Sequence, residues 1–246
     1  MKHSEHYRIK WHDTDCNRRV RPSQVMMYMQ ETANAHLSAY AMNLDELRDR
    51  RGLAFLLSRA SVELYADLHD RDEIDVFTWI CESRGLSFNR CFQVMRGGEL
   101  VAQAFTVWGL LDLSEKRLLR SNQFEYPFEG EEALVPTVPS RVHLPQGLVM
   151  EEVGRRRIGY ADIDYNLHMN NTHYPDMLCD FTPDILNRRV RGLALSYLHE
   201  ATYGHTLRIF RAPAEGGYVF RTVDEDGTVC FEALLLLDEA REVETV

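Results

Sequence analysis

The residues of this chain best suited to chemistry gather in one run, Asp162-Ile-Asp164-Tyr-Asn166-Leu-His168-Met169-Asn170-Asn171. An acid, an amide and an imidazole at alternate positions of an extended segment share one side of it. The imidazole exchanges a proton near neutral pH, so the run can offer acid–base chemistry to a bound carbonyl. Asn171 is expected to cap a following helix, whose first N–H groups, around Asn170 and Asn171, suit a developing oxyanion. The plainer reading is a turn, because Asp and Asn hydrogen-bond their own backbone in D-x-D-x-N sequences.

The run has a counterpart near the start, Asp13-Thr-Asp15-Cys-Asn17-Arg-Arg19-Val20, at an offset of 162 minus 13, or 149. A second echo sets Gly98-Glu-Leu-Val-Ala-Gln-Ala104 against Gly227-Thr-Val-Cys-Phe-Glu-Ala233, at an offset of 129. Two echoes in the same order indicate a duplicated domain. The copies differ where it matters: Arg19 stands in place of His168, and arginine stays protonated. Only the second copy keeps an acid–base group.

The elements that must hold these loops follow from periodicity. Each copy reads as a strand, the Asp/Asn loop, a helix and then several strands. Pro22 opens the first helix, and Val25, Met26, Met29, Ala33, Leu37 and Tyr40 recur along one face. Asn43 to Arg51 reads as a shorter helix ended by Gly52. Strands are expected over Ala54 to Leu64, Asp72 to Glu82 and Cys91 to Leu113, the last turning at Gly97-Gly98. In the second copy a helix begins near Asn171 and is limited by Pro183. Strands are then expected over Gly192 to Ala201, His205 to Arg211, Tyr218 to Val223 and Thr228 to Asp238. A helix can bury its apolar stripe only against the inner face of such a meander. The expected fold is therefore α+β, a tandem hotdog in which each half packs a long helix on an antiparallel sheet. The halves are residues 1–122, for the acyl chain, and 148–246, with the catalytic residues. The Pro-rich segment 123–147, with Pro127, Pro136, Pro139 and Pro145, is the expected linker.

Composition bounds the function. A formal charge of -10 argues against a nucleic-acid binder. No apolar run approaches the roughly 18 residues of a spanning helix, and the polar start lacks a signal peptide, so no membrane association and a cytoplasmic location are expected. The five cysteines form no CxxC pair and read as free thiols. His199-Glu200 fails as a zinc-protease motif because position 203 is tyrosine, and there is no G-x-S-x-G or P-loop. His3, His6 and His12 are read as a mobile N-terminus rather than a metal site. No metal and no cofactor are expected.

The catalytic run, through Thr172, His173 and Tyr174, resembles the D-L-D-x-N-x-H-V-N-N-x-x-Y signature of the plant-type fatty acyl-ACP thioesterases and their bacterial relatives. The resemblance continues in Leu195-Ser-Tyr197-Leu-His-Glu200, like the family's L-x-Y-R-R-E, in Met29-Gln-Glu31-Thr-Ala33, and in the hairpin from Glu99 to Trp108. It covers nearly the whole chain. It implies a double-hotdog hydrolase of acyl thioesters on acyl carrier protein, with Asp164, Asn166, His168 and Glu200 as the catalytic set. The family often has cysteine after that Glu; here the residue is Ala201, which points to direct attack by water, with Glu200 as base assisted by His168. Met26, Met29 and Ala33 are candidates for the acyl tunnel. The clusters Arg155-Arg156-Arg157 and Arg188-Arg189 are candidates for the acidic carrier or its phosphopantetheine arm. An acyl-CoA thioesterase and a hotdog dehydratase or hydratase are the alternatives. Duplication leaves the chain free to be a monomer or a homodimer.

Overall fold

The computed structural model describes residues 2–124 and 130–238; Pro127 of the expected linker lies outside them. The first half runs β1 (His3–Arg8), α1 (Pro22–Ala39), α2 (Leu44–Arg51), β2 (Leu53–Leu64), β3 (Glu73–Arg84), β4 (Ser87–Arg96), β5 (Glu99–Asp112) and the short β6 (Arg117–Leu119). The second runs β7 (Glu151–Arg157), α3 (Tyr174–Asp180), β8 (Val190–Tyr197), β9 (Thr206–Ala214), β10 (Gly217–Val223) and β11 (Val229–Leu237). Local chemistry sets the boundaries. Asn43 accepts the amides of Asp45 and Glu46 to start α2, and Gly52 ends it at a positive φ of 64° that favours glycine.

The strands form one antiparallel sheet in the order β1-β3-β4-β5-β2-β8-β11-β10-β9-β7, with β6 beside β5. Read outward from the centre, the two halves have the same topology. They join where β2 pairs with β8, Ala60 opposite Leu195 and Val62 opposite Leu193. That register is a local two-fold: it maps Ala60 onto Leu193, an offset of 133, and Val62 onto Leu195. The map is consistent with the hairpin echo, since Val62 pairs with Ala104 and Leu195 with Ala233.

Alternation along β2 and β8 sorts the two faces. Ala60, Val62, Leu193 and Leu195 join a core that runs through both halves beneath α1 and α3. Ser61, Glu63, Ala194 and Ser196 face the other way, where the segment after residue 130 is strapped across the sheet. Val138 and Val142 pack there on Ala194. The Glu63 carboxylate accepts the amides of Thr137 at 2.7 Å and Val138 at 3.1 Å, as well as the hydroxyls of Thr137 and Tyr65 and the amide of Gln103. Burial alone would raise its pKa, but these donors hold it down to about 2.

Several expectations need correction. The N-terminal residues are not a mobile tail: β1 is an edge strand with every residue in register against β3. The strand expected to reach Ala201 stops at Tyr197, because the amides of Leu198 and His199 both donate to the Cys230 carbonyl and the chain turns away. Among the described residues no helix is long and apolar enough to cross a membrane.

Candidate active site

The loop from Asp162 to Asn170 is closed by its own short-range bonds. Asp162 accepts the Gly159 amide at 2.8 Å, Asp164 accepts the Asn166 amide at 2.8 Å, and the Asp164 amide donates to the His168 carbonyl at 3.0 Å. The turn demands a positive φ, 63°, at Leu167. Asp164 is thereby engaged in holding the loop's shape. The segment after β8 then crosses the loop: the Met169 amide donates to Ala201 at 2.8 Å and the Tyr203 amide to Leu167 at 3.1 Å. This crossing brings together residues far apart in sequence, and the Glu200 carboxylate lies 3.2 Å from Nε2 of His168.

Asn166 has a partner that sequence reasoning missed. Arg48, from α2 of the other half, donates to the Asn166 side-chain oxygen. Arginine carries no acceptor, so the Asn166 carbonyl oxygen must face it, which leaves the two amide N–H donors for another acceptor. No local pattern could have signalled a contact across 118 positions. The expected cap also shifts by one residue. It is Asn170, not Asn171, whose side chain accepts the Thr172 amide at 3.0 Å and hydroxyl at 2.9 Å, and the chain passes through a 3-10 turn, Asn171–His173, before α3. Asn171, first in that turn, has no carbonyl behind it to bond within the turn.

Asp164, Asn166, His168, Asn171 and Glu200 stand together at one end of a cavity of about 390 Å3, within the range of small-molecule sites. Apart from Tyr165, the rest of its wall belongs to the first half and is mostly apolar, including Ala33 and Leu37 of α1, Leu47 of α2, and Phe55, Phe88 and Trp108 of the sheet. Phe55 and Phe88 meet edge to face with centroids 5.5 Å apart. Met26 and Met29, also on α1, are buried in the central core rather than on this wall. Of the arginine candidates, Arg156 is tied to Asp162 and Asp180, Arg188 to the Asp238 carbonyl, and Arg189 to Asp238 at 2.6 Å. Arg155 pairs with Glu152, and Arg157 is exposed at the end of β7, just before the loop.

The first half repeats this loop almost bond for bond. Asp13 accepts the Lys10 amide at 2.8 Å, Asp15 accepts the Asn17 amide at 2.8 Å, and the Asp15 amide donates to Arg19. Arg18 takes the positive φ, 60°. The Val20 amide donates to Leu68 at 2.8 Å, as Met169 does to Ala201. Arg19 thus matches His168, and Asp67, by the offset of 133, matches Glu200.

The N-terminal domain model of the acyl-ACP thioesterases matches residues 1–123, and the C-terminal domain model of the same enzymes matches residues 150–233. The chloroplastic palmitoyl-acyl carrier protein thioesterase of Cuphea hookeriana is 22% identical over 97% of this chain; the match spans 60% of that relative's length. Among solved structures, an acyl-ACP thioesterase from Bacteroides thetaiotaomicron superposes with a TM-score of 0.86 at 20% identity, covering 96% of this chain and 98% of that one. The 12:0-ACP thioesterase from Umbellularia californica gives 0.81 at 18% identity, covering 96% and 97%.

Proposed function

This chain belongs to the acyl-ACP thioesterase family, and we propose that it hydrolyses fatty acyl thioesters of acyl carrier protein to free fatty acid and carrier by direct attack of water. The observation that carries this reading is the Glu200–His168 pair, 3.2 Å apart, at one end of a cavity whose apolar wall comes from the other half.

The acyl chain lies along Ala33, Leu37, Phe88 and Trp108, which puts the thioester carbonyl beside Asn166. His168 holds one carboxylate oxygen of Glu200, leaving the other to accept a proton from water. The water oxygen attacks the carbonyl carbon, and the negative charge moves to the carbonyl oxygen. The Asn166 amide, turned inward by Arg48, and the Asn171 backbone N–H stabilise that charge. When the tetrahedral intermediate collapses, the carbon–sulfur bond breaks and the thiolate takes the proton back from the Glu200–His168 pair. Ala201 is buried, and no side chain of this set needs to act as a nucleophile. Arg155 and Arg157, exposed on β7 just ahead of the catalytic loop, are suited to receive an acidic carrier.

The test is free-thiol release from a panel of acyl-ACPs and matching acyl-CoAs, with His168→Ala as control. Faster, His168-dependent turnover of acyl-ACP is the expected result. Turnover confined to acyl-CoA would replace the carrier, and conversion of an enoyl or hydroxyacyl thioester without thiol release would replace the reaction class.

A further inference from the structure

The two-fold that relates the catalytic loop to its counterpart also relates two packing sites that differ in side-chain volume. Behind the catalytic loop, Tyr174, Tyr197 and Phe231 form a packed trio with ring centroids 4.4 to 5.3 Å apart. Tyr197 also donates its hydroxyl to the Asn171 carbonyl at 2.9 Å. Their counterparts by the offsets 149, 133 and 129 are Val25, Leu64 and Ala102. The correspondence is structural as well, since Leu64 pairs with Ala102 across β2 and β5 as Tyr197 pairs with Phe231 across β8 and β11. Three rings have been exchanged for an isopropyl, an isobutyl and a methyl group. The space is not refilled: a cavity of about 440 Å3 remains, walled by Val25, Leu64, Ala102, Leu68, Val101 and Val190, and it opens at the Asp15–Arg19 loop.

A void of that size deprives its lining of dispersion contacts, and cores ordinarily close such gaps. An apolar cavity kept open in a core is a place for an apolar ligand. The head group is set by the mouth, where Arg19 and Asp67 replace His168 and Glu200. Four acids lie there, and three have partners: Asp67 approaches Arg189 at 3.8 Å, Asp176 accepts the Ser23 hydroxyl at 2.8 Å, and Asp180 meets Arg156 at 3.1 Å. The fourth, Asp15, spends one oxygen on the amides of Asn17 and Arg19, and among the described residues its other oxygen makes only a long 3.5 Å contact with the Arg19 guanidinium. Arg19 therefore keeps N–H donors for an anion, and a guanidinium fits a carboxylate with two parallel hydrogen bonds. It cannot serve as a general base.

We propose that this cavity is a second, non-hydrolytic site that binds a free fatty acid, with the chain between Val25, Leu64 and Ala102 and the carboxylate on Arg19. A thioester, lacking the negative charge, is the poorer ligand. The site does not depend on the hydrolytic reading of the other loop.

Dodecanoate binding to the full chain, measured by isothermal titration calorimetry and by NMR of carboxyl-labelled dodecanoate, tests this. The expected result is two bound per chain. Leu64→Tyr and Ala102→Phe, which each restore a ring found in the second half, should remove one site and keep the other. Arg19→Met leaves the cavity open and should weaken that same site roughly 10-fold, in keeping with a lost charged hydrogen bond. Dodecanoate binding that survives the filling substitutions undiminished overturns the proposal, whether one or two are bound to the unaltered chain. If the filled variants do not fold, Arg19→Met decides, and unchanged affinity at both sites is fatal. Dodecanol binding as tightly as dodecanoate would remove the carboxylate assignment. Two sites in a chain that hydrolyses nothing would leave this inference standing while the proposed function fell.

Discussion

The two Asp/Asn loops have one backbone and two chemistries. Each is closed by the same hydrogen bonds, each places a left-handed residue before the variable position, and each is crossed by the segment leaving a central strand. What separates them is Arg19 against His168, Asp67 against Glu200, and three small side chains against three rings. The loop fold therefore does not carry the chemistry by itself. Asp15 and Asp164 make the same bond to the backbone two residues on, so both hold the turn. The aspartates of the D-x-D-x-N pattern hold the same turn in both loops, and the two loops differ in the imidazole beside a carboxylate.

Removing the His168–Glu200 pair should separate the two loops most clearly. Glu200→Ala or His168→Ala should lower kcat by roughly 10²- to 10⁴-fold, while Asn17→Ala in the other loop leaves turnover of acyl-ACP unchanged. Equal losses from both loops would mean that both are catalytic. A smaller effect is expected from Arg48→Met, which frees the Asn166 amide to rotate. Steady-state kinetics should show kcat reduced roughly 10- to 100-fold, as for a misplaced group, with KM little altered. A change in KM alone would make Arg48 a substrate contact.

The smallest effect concerns the strap. Glu63 and its two-fold mate Ser196 both hold it, but among the described residues Ser196 meets only the Val142 amide, at 3.5 Å. Glu63→Gln should cost about 2 kcal/mol by urea unfolding, and Ser196→Ala about 0.5 kcal/mol or less. The Glu63 contribution is pH-dependent. Its folded pKa, about 2, lies below the ordinary 4.5, so the stability is present above pH 4.5 and is lost as pH falls toward 2. Glu63→Gln should flatten that acid limb; an unaltered limb would assign it to other groups.

What could be read without coordinates was whatever local chemistry decides. Asn43 and Gly52 bound α2, Gly97-Gly98 turns β4 into β5, and the repeated Asp/Asn run implied two copies of one unit. Asp164, Asn166, His168, Asn171 and Glu200 do meet at one cavity. The rest depends on contacts between the halves. Nothing near Arg48 points to Asn166, and β8 ends where it does because Cys230, on another strand, takes two amides. The Pro-rich segment reads as a spacer until Glu63, Ser61 and Ala194 are seen beneath it. The second cavity was hidden because Val25, Leu64 and Ala102 are ordinary core residues until set beside their two-fold mates.

The central seam also bears on how the molecule is made. Ala60 and its partner Leu195 are 135 positions apart. At the speed of translation, β2 waits on the order of ten seconds for β8 to emerge. During that time the middle strand of the finished sheet is an edge, long and apolar, open to pairing with any other nascent chain. Thr137 and Val138 leave the ribosome well before β8 and can dock on Glu63 and Ser61 meanwhile. The strap can thus lie on the outer face of β2, beside the open edge, before β8 arrives to pair with it.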